Sequence, residues 1–273
     1  MPLAHDMYYA ESNDAQRNRP ALVLVHGAGY DHRCWPMEMR RLNGWRVLAV
    51  DLPNHGRSAN RPRQSVAAYA RDLADFFNEL ELYRVVLVGH SLGAAVALQL
   101  ALEQPDLLAG LGLISASAHI SPPPSLVEYF SNPLTISLGI LLFQQWAFSP
   151  QTHASAVEAA VKPLREARPA ALAGDWQAFS RYELEDNLSR ITAPAWVAVG
   201  GDDRLAPLPC AHYLSVQLPA ARLQVIANAG HMLPVEQPAA LTAGLRSFVA
   251  SLPLLAAISS AGAQHGALRS PGN

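Results

Sequence analysis

The stretch Val85-Val86-Leu87-Val88-Gly89-His90-Ser91-Leu92-Gly93-Ala94-Ala95-Val96-Ala97-Leu98 leaves this chain few folds to choose from. Four β-favouring apolar residues run straight into Gly-His-Ser-Leu-Gly, and good helix formers continue as far as Gln104-Pro105. The pattern predicts strand, sharp turn, helix, with a serine at the turn. Crowding explains the glycines: at a strained tip, the positions two before and two after Ser91 have no room for a Cβ. A helix opening at Leu92 would aim free N–H groups and partial positive charge at whatever lies over Ser91. A Gly-x-Ser-x-Gly pentapeptide is weak by itself in a chain with 17 glycines. The strand before it and the apolar helix after it supply the context that separates a nucleophile from an incidental serine.

With 273 residues, half of them apolar, the chain can bury one large core or a core with an appendage. A net charge of −2 gives no sign of a nucleic-acid or polyanionic partner. The two cysteines, Cys34 and Cys210, make no disulfide framework and read as small core residues. No His/Cys cluster has zinc-ligand spacing, so no metal is expected. The polar stretch from Met1 to Asn18 lacks the apolar core of a signal peptide, and the expected location is the cytoplasm. The most apolar segment, Leu134 to Phe148, is too short to span a bilayer, so no stable membrane insertion is expected.

Along the chain, Met7 to Ala10 reads as an edge strand, and Ala21–Val25 as a central strand buried on both faces. Trp35 to Leu42 reads as a short helix, Arg46–Val50 as a strand, Val66 to Leu80 as an amphipathic helix, and Leu111 to Ile114 as a strand. This alternation implies a parallel sheet with helices on both faces. It stops between Ser115 and Ile191, where helical segments are expected at Leu126–Phe130, Ile136–Phe148, Ala154–Arg168 and Trp176–Asn187. The sheet resumes at Ala195–Val199 and Leu223–Ile226, with helices near Cys210–Gln217 and from Pro238 or Ala239 to about Ser251. The implied division is a core over 1–118 and 191–253, a helical cap over 119–190, and a tail over 254–273.

A serine hydroxyl needs a base to take its proton, and the base needs a third group to hold its tautomer. In open parallel sheets the active groups gather at the carboxyl ends of strands. His231, five residues past Ile226, is the one histidine after Ser91 so placed; Asp202 and Asp203 both follow Ala195–Val199, and no acid lies within ten residues after Ile114.

The order Ser, Asp, His is that of the α/β-hydrolases, and the chain resembles that family from about Ala21 to Ser251. The resemblance is carried by His26-Gly27-Ala28-Gly29, by Asp51-Leu52-Pro53-Asn54-His55-Gly56-Arg57-Ser58, by Gly89-His90-Ser91-Leu92-Gly93, by Gly200-Gly201-Asp202-Asp203-Arg204-Leu205-Ala206-Pro207 and by Gly230-His231. Asn54 departs from it, since relatives often have Gly there. The resemblance implies that the acid is Asp203, with Asp202 a solvated neighbour. It also implies that the backbone N–H groups of Ala28 and Leu92 form the oxyanion hole, and that no cofactor is required. His26, His55 and His90 read as bracing or packed histidines, and Asp51 and Glu236 as structural carboxylates.

The insertion would cover Ser91, with Phe143, Trp146, Phe148 and Tyr182, and also Trp176 and Phe179, as candidate pocket residues. No carboxylate clamp is evident, which favours small to medium uncharged esters as substrates. Ser91 disfavours the haloalkane dehalogenases and epoxide hydrolases of the fold, which use aspartate there. His26-Gly27-Ala28-Gly29-Tyr30 departs from the His-Gly-Gly-Pro-Gly loop of proline iminopeptidases. Carbon–carbon bond hydrolase, thioesterase, lactonase and perhydrolase chemistry fit the same residues. From another class comes a ligand-binding member of the fold without catalysis, which would have no need of the Ser, Asp and His.

Overall fold

The computed structural model describes residues 2–13, 20–119 and 122–253; the tail assigned to 254–273 lies outside the described residues. A two-residue strand β1 (Leu3–Ala4) turns antiparallel into β2 (Met7–Ser12). Then come β3 (Ala21–Val25), α1 (Met37–Arg40), β4 (Arg46–Val50), α2 (Val66–Glu79), β5 (Val85–His90), α3 (Leu92–Glu103) and β6 (Leu108–Ile114). Four helices follow, α4 (Pro124–Ser131), α5 (Ile136–Ala147), α6 (Ala154–Glu166) and α7 (Pro169–Phe179). The core resumes with β7 (Ala195–Gly200), α8 (Leu208–Gln217), β8 (Ala221–Ile226), α9 (Leu233–Glu236) and α10 (Pro238–Ser251). The sheet order is β1-β2-β4-β3-β5-β6-β7-β8, parallel from β4 to β8. This is the mostly parallel sheet that the alternation of apolar runs implies.

Strand alternation splits the core in two. Val23, Val25, Leu48, Val50 and Leu87 pack on one face against α2 and α3. Leu22, Leu24, Val47, Ala49, Val86 and Val88 face the other way, toward Trp35, Met39 and the α10 residues Leu241, Leu245 and Phe248. Burial on both faces is why these strands read as unbroken apolar runs rather than alternating ones. Helix α3 lies between the sheet and its neighbours and is apolar nearly all round, as a fully enclosed helix must be.

Two expected helices have different limits. Within Trp35 to Leu42 only the four-residue α1 forms, opening after Pro36, and a 3₁₀ turn, His32–Cys34, capped by the Asp31 side chain, precedes it. The helix expected over Trp176–Asn187 is instead α7, which starts at Pro169, ends at Phe179 and is followed by a 3₁₀ segment over Glu185–Arg190. Pro169 sets that start: its fixed φ suits the first helical position, where an N–H would have no partner. Cys34 and Cys210, read as core residues, are half-buried free thiols.

Candidate active site

The turn between β5 and α3 carries Ser91 at φ 53° and ψ −111°. This is a left-handed backbone that side-chain-bearing residues rarely adopt outside functional turns. Its neighbours make the turn possible. A Cβ on Gly89 would lie 2.1 Å from the Gly93 carbonyl oxygen, and one on Gly93 would lie 2.1 Å from the Val25 carbonyl oxygen. The Ser91 N–H donates to the Ile114 carbonyl at 2.9 Å, fixing the tip to β6.

Three side chains from separate loops meet above this edge of the sheet. The Ser91 hydroxyl lies 2.9 Å from His231 Nε2. His231 Nδ1 lies 2.9 Å from Asp203 Oδ2 and 3.1 Å from Oδ1. A carboxylate only accepts, so the imidazole carries its proton on Nδ1, and Nε2 is free to receive the serine proton. Asp203 is itself fixed: its Oδ1 accepts from the Leu205 and Ala206 N–H groups at 2.9 and 2.8 Å. The histidine backbone is held equally firmly. Its carbonyl accepts from His90 Nε2 and Ser115 Oγ, each at 2.9 Å, and its N–H donates to the Ala147 carbonyl at 2.7 Å.

Among the described residues, neither the Ala28 nor the Leu92 N–H donates to a protein acceptor. The first sits in the turn after β3 and the second opens α3. Ala28, Ser91 and His231 border a cavity, together with Phe143, Trp176, Phe179 and Leu205. Of the candidate pocket residues from the insertion, the structure brings Phe143, Trp176 and Phe179 to this cavity and leaves the other three off it. The buried stripe of α5 runs through Ile140, Phe143 and Ala147, so Trp146 falls at its edge, 38% exposed, in an outer groove beside Pro123 and Arg204. Phe148 lies past the helix end and packs edge-on against Phe143, with ring centroids 6.4 Å apart. Tyr182 is buried away from the cavity.

Asp202 is half-buried and committed rather than a free solvated neighbour: its Oδ2 accepts from Ser149 Oγ at 2.6 Å, joining the acid loop to the chain after α5. Glu236 gathers the Gly230, Met232 and Ser149 N–H groups and the Thr152 hydroxyl, bracing the histidine loop. Asn54 has φ 70°, which explains the departure from glycine, because Asn tolerates the left-handed region better than other residues. His26 Nε2 accepts from the Leu52 N–H at 3.0 Å, so its proton sits on Nδ1 and is donated to the Gly27 carbonyl. Asp31, His32 and Asp51 bring possible metal-binding atoms within 4.8 Å of one another. Hydrogen bonds already account for them: Asp51 Oδ1 accepts from the His32 N–H and Nδ1, and Asp31 pairs with Arg33.

One buried carboxylate escaped the reading of the sequence. Asp175, in α7, is fully buried and reaches the core loops. The available signal was a lone acid inside the mostly apolar run Pro169–Phe179, which requires a partner if buried.

Burial lowers the pKa of His26 to about 4 and that of His90 to about 3, so both are neutral in the folded protein. In the unfolded chain each takes up a proton near pH 6.5. Their contribution to stability is therefore complete above pH 6.5 and is lost as pH falls below it. His55 acts oppositely. Burial opposes its charge, but Asp175 raises its pKa overall, so its contribution is already complete below pH 6.5 and offsets nothing there. Urea unfolding between pH 6.5 and 4.5 should lose about 1.4 kcal/mol per pH unit for each of His26 and His90. His90→Gln should reduce that slope by about half, and a flat profile in the wild type would contradict the assignment.

A family model described as the alpha/beta hydrolase family matches residues 22–244, and the chain belongs to that family. The chain is 29% identical over 249 residues to a Caulobacter vibrioides protein named "Putative carbamate hydrolase RutD", covering 85% of this chain and 90% of that one. Among solved structures it is similar to a thermophilic esterase from Thermogutta terrifontis, at 25% identity and a TM-score of 0.78, covering 89% of this chain and 92% of that one. It is also similar to a hydrolase from Pseudomonas aeruginosa PA01, at 26% identity and a TM-score of 0.80, covering 89% and 94%. No helix among the described residues is long and apolar enough to cross a membrane.

Proposed function

We propose that the protein is a serine hydrolase that cleaves carboxylic esters of small to medium, uncharged, apolar substrates through an acyl-enzyme. The observation that carries this reading is the continuous chain from the Ser91 hydroxyl to His231 and on to Asp203, with 2.9 Å at each link. His231 Nε2 takes the hydroxyl proton as Ser91 Oγ attacks the acyl carbon. Asp203 holds the imidazole in the tautomer that can do so and steadies the imidazolium that results. The negative charge arising on the carbonyl oxygen is met by the Ala28 and Leu92 N–H groups and by the N-terminal end of α3. His231 returns the proton to the departing alcohol, and a water molecule, activated by the same imidazole, releases the acyl group.

The insertion over 119–190 acts as a cap, and residues 1–118 and 191–253 form the catalytic core. Phe143, Trp176, Phe179 and Leu205 make an apolar chamber with no uncommitted charged side chain on its wall among the described residues, which favours uncharged acyl and alcohol groups. Esterase activity in the name of the similar Thermogutta terrifontis structure agrees with this reading. The test is covalent labelling of purified protein with a fluorophosphonate, followed by peptide mass spectrometry, beside a panel of p-nitrophenyl esters of increasing chain length. Labelling is expected at Ser91 alone, with turnover highest for short to medium chains. An unlabelled protein that hydrolyses none of the panel would end the proposal, and activity confined to lactone or carbon–carbon substrates would reassign the reaction on the same three residues.

A further inference from the structure

The four residues Gly27 to Tyr30 form a tight turn, closed by the Tyr30 N–H donating to the Gly27 carbonyl at 3.2 Å. Gly29 occupies its third position at φ 74°, the conformation that calls for glycine. Inside this turn lies Ala28, the proposed second oxyanion donor. The outer side of the turn is held by the insertion. Gly29 N–H donates to Asp175 Oδ2 at 2.8 Å, across 146 residues of sequence. A Cβ on Gly29 would lie 2.5 Å from Leu172 and 2.7 Å from Leu164, so α6 and α7 press directly on the turn. Helix α7 is seated just as closely: a Cβ on Gly174 would lie 2.2 Å from the Arg63 carbonyl oxygen.

Asp175 has no freedom of its own. Its Oδ2 also accepts from His55 Nε2 at 2.9 Å, and its Oδ1 accepts from the Tyr69 hydroxyl at 2.6 Å. Resting on the oxyanion reading above, we propose that Asp175 is a positioning residue of the reaction. It fixes the Ala28–Gly29 peptide, while the Tyr30 N–H and His26 Nδ1 hold the Gly27 carbonyl of the preceding peptide; with both planes flanking Ala28 held, the Ala28 N–H keeps one orientation, toward the carbonyl oxygen over Ser91. The insertion thus completes the oxyanion hole as well as covering the cavity. The gain is confined to the transition state, where the oxygen becomes charged, so it acts on kcat rather than on KM.

Asp175→Ala should lower kcat for p-nitrophenyl butyrate by about 10- to 100-fold, less than outright loss of a donor, with KM within about twofold. Asp175→Asn keeps an oxygen for Gly29 and His55 and turns its NH₂ toward the Tyr69 oxygen, so it should restore kcat to within about threefold of wild type. A purely structural role would loosen the chamber that Trp176 and Phe179 wall and would appear chiefly in KM. Unchanged kcat in Asp175→Ala, or a loss carried by KM, overturns the inference. Should neither Asp175 variant fold, amide exchange in the wild type decides: the Gly29 N–H is expected to exchange at least about 100-fold more slowly than an unprotected loop amide. Exchange at the unprotected rate overturns the inference. Turnover that survives Ser91→Ala would defeat the ester-hydrolase reading itself, a result distinct from all of these.

Discussion

Ser91→Ala is expected to reduce kcat for p-nitrophenyl butyrate by about 10⁴- to 10⁶-fold, leaving only what the oxyanion donors and substrate binding supply. The substitution removes one oxygen and keeps the Cβ, so the cost of the left-handed backbone at φ 53° is the same in both proteins. The Ser91 N–H bond to the Ile114 carbonyl is likewise untouched. The circular dichroism spectrum and thermal midpoint should therefore match wild type, and the loss can be assigned to chemistry. His231→Ala should fall about as far, and the double variant little further, because the two groups act as one unit. Retention of more than about a tenth of the turnover by folded Ser91→Ala protein would place the reaction elsewhere.

Asp203→Asn should cost about 10⁴-fold in kcat, for a reason specific to this site. Both loop N–H groups, from Leu205 and Ala206, point at Oδ1, so the amide must place its oxygen there. Its NH₂ then faces His231 Nδ1, now 2.9 Å from Oδ2, and requires that nitrogen to accept. The imidazole proton moves to Nε2, and the group that should take the serine proton becomes a donor instead. Asp202→Asn is the control, because it disturbs only the Ser149 contact, and it should stay within about threefold of wild type. The reverse outcome, with Asp202 essential and Asp203 dispensable, would overturn the assignment of the acid.

Much of the architecture was legible because the strands are local features. Ala21–Val25 and Arg46–Val50 are apolar runs closed by breakers, and their observed limits match. Gly89 was readable for the same reason, since it crowds Gly93 and Ala94 backbone a few residues away; Gly93 crowds the Val25 carbonyl of the neighbouring strand, and it was the turn motif that marked it. His231 and Asp203 stood out through their position after strands, which is a property of the sheet. Asp175 did not, because its partners lie 106 to 146 residues distant and nothing near it in sequence names them. The aromatic residues of the insertion were the hardest to place. Helical spacing shows which residues share a face but not what that face meets, so Phe143 and Trp146, one turn apart, end on a chamber wall and in an outer groove.

The strand order has a consequence for how such a protein comes into being. Four adjacent parallel strands, β4-β3-β5-β6, are complete by Ile114, and with them the serine on its turn. The proposed acid and base follow β7 and β8, the last two strands among the described residues. A nascent chain can thus assemble the centre of its sheet while chemically silent. On the proposed reading it gains the power to cut only once β8 and the loop carrying His231 have been made, a safeguard written into topology rather than into any inhibitor.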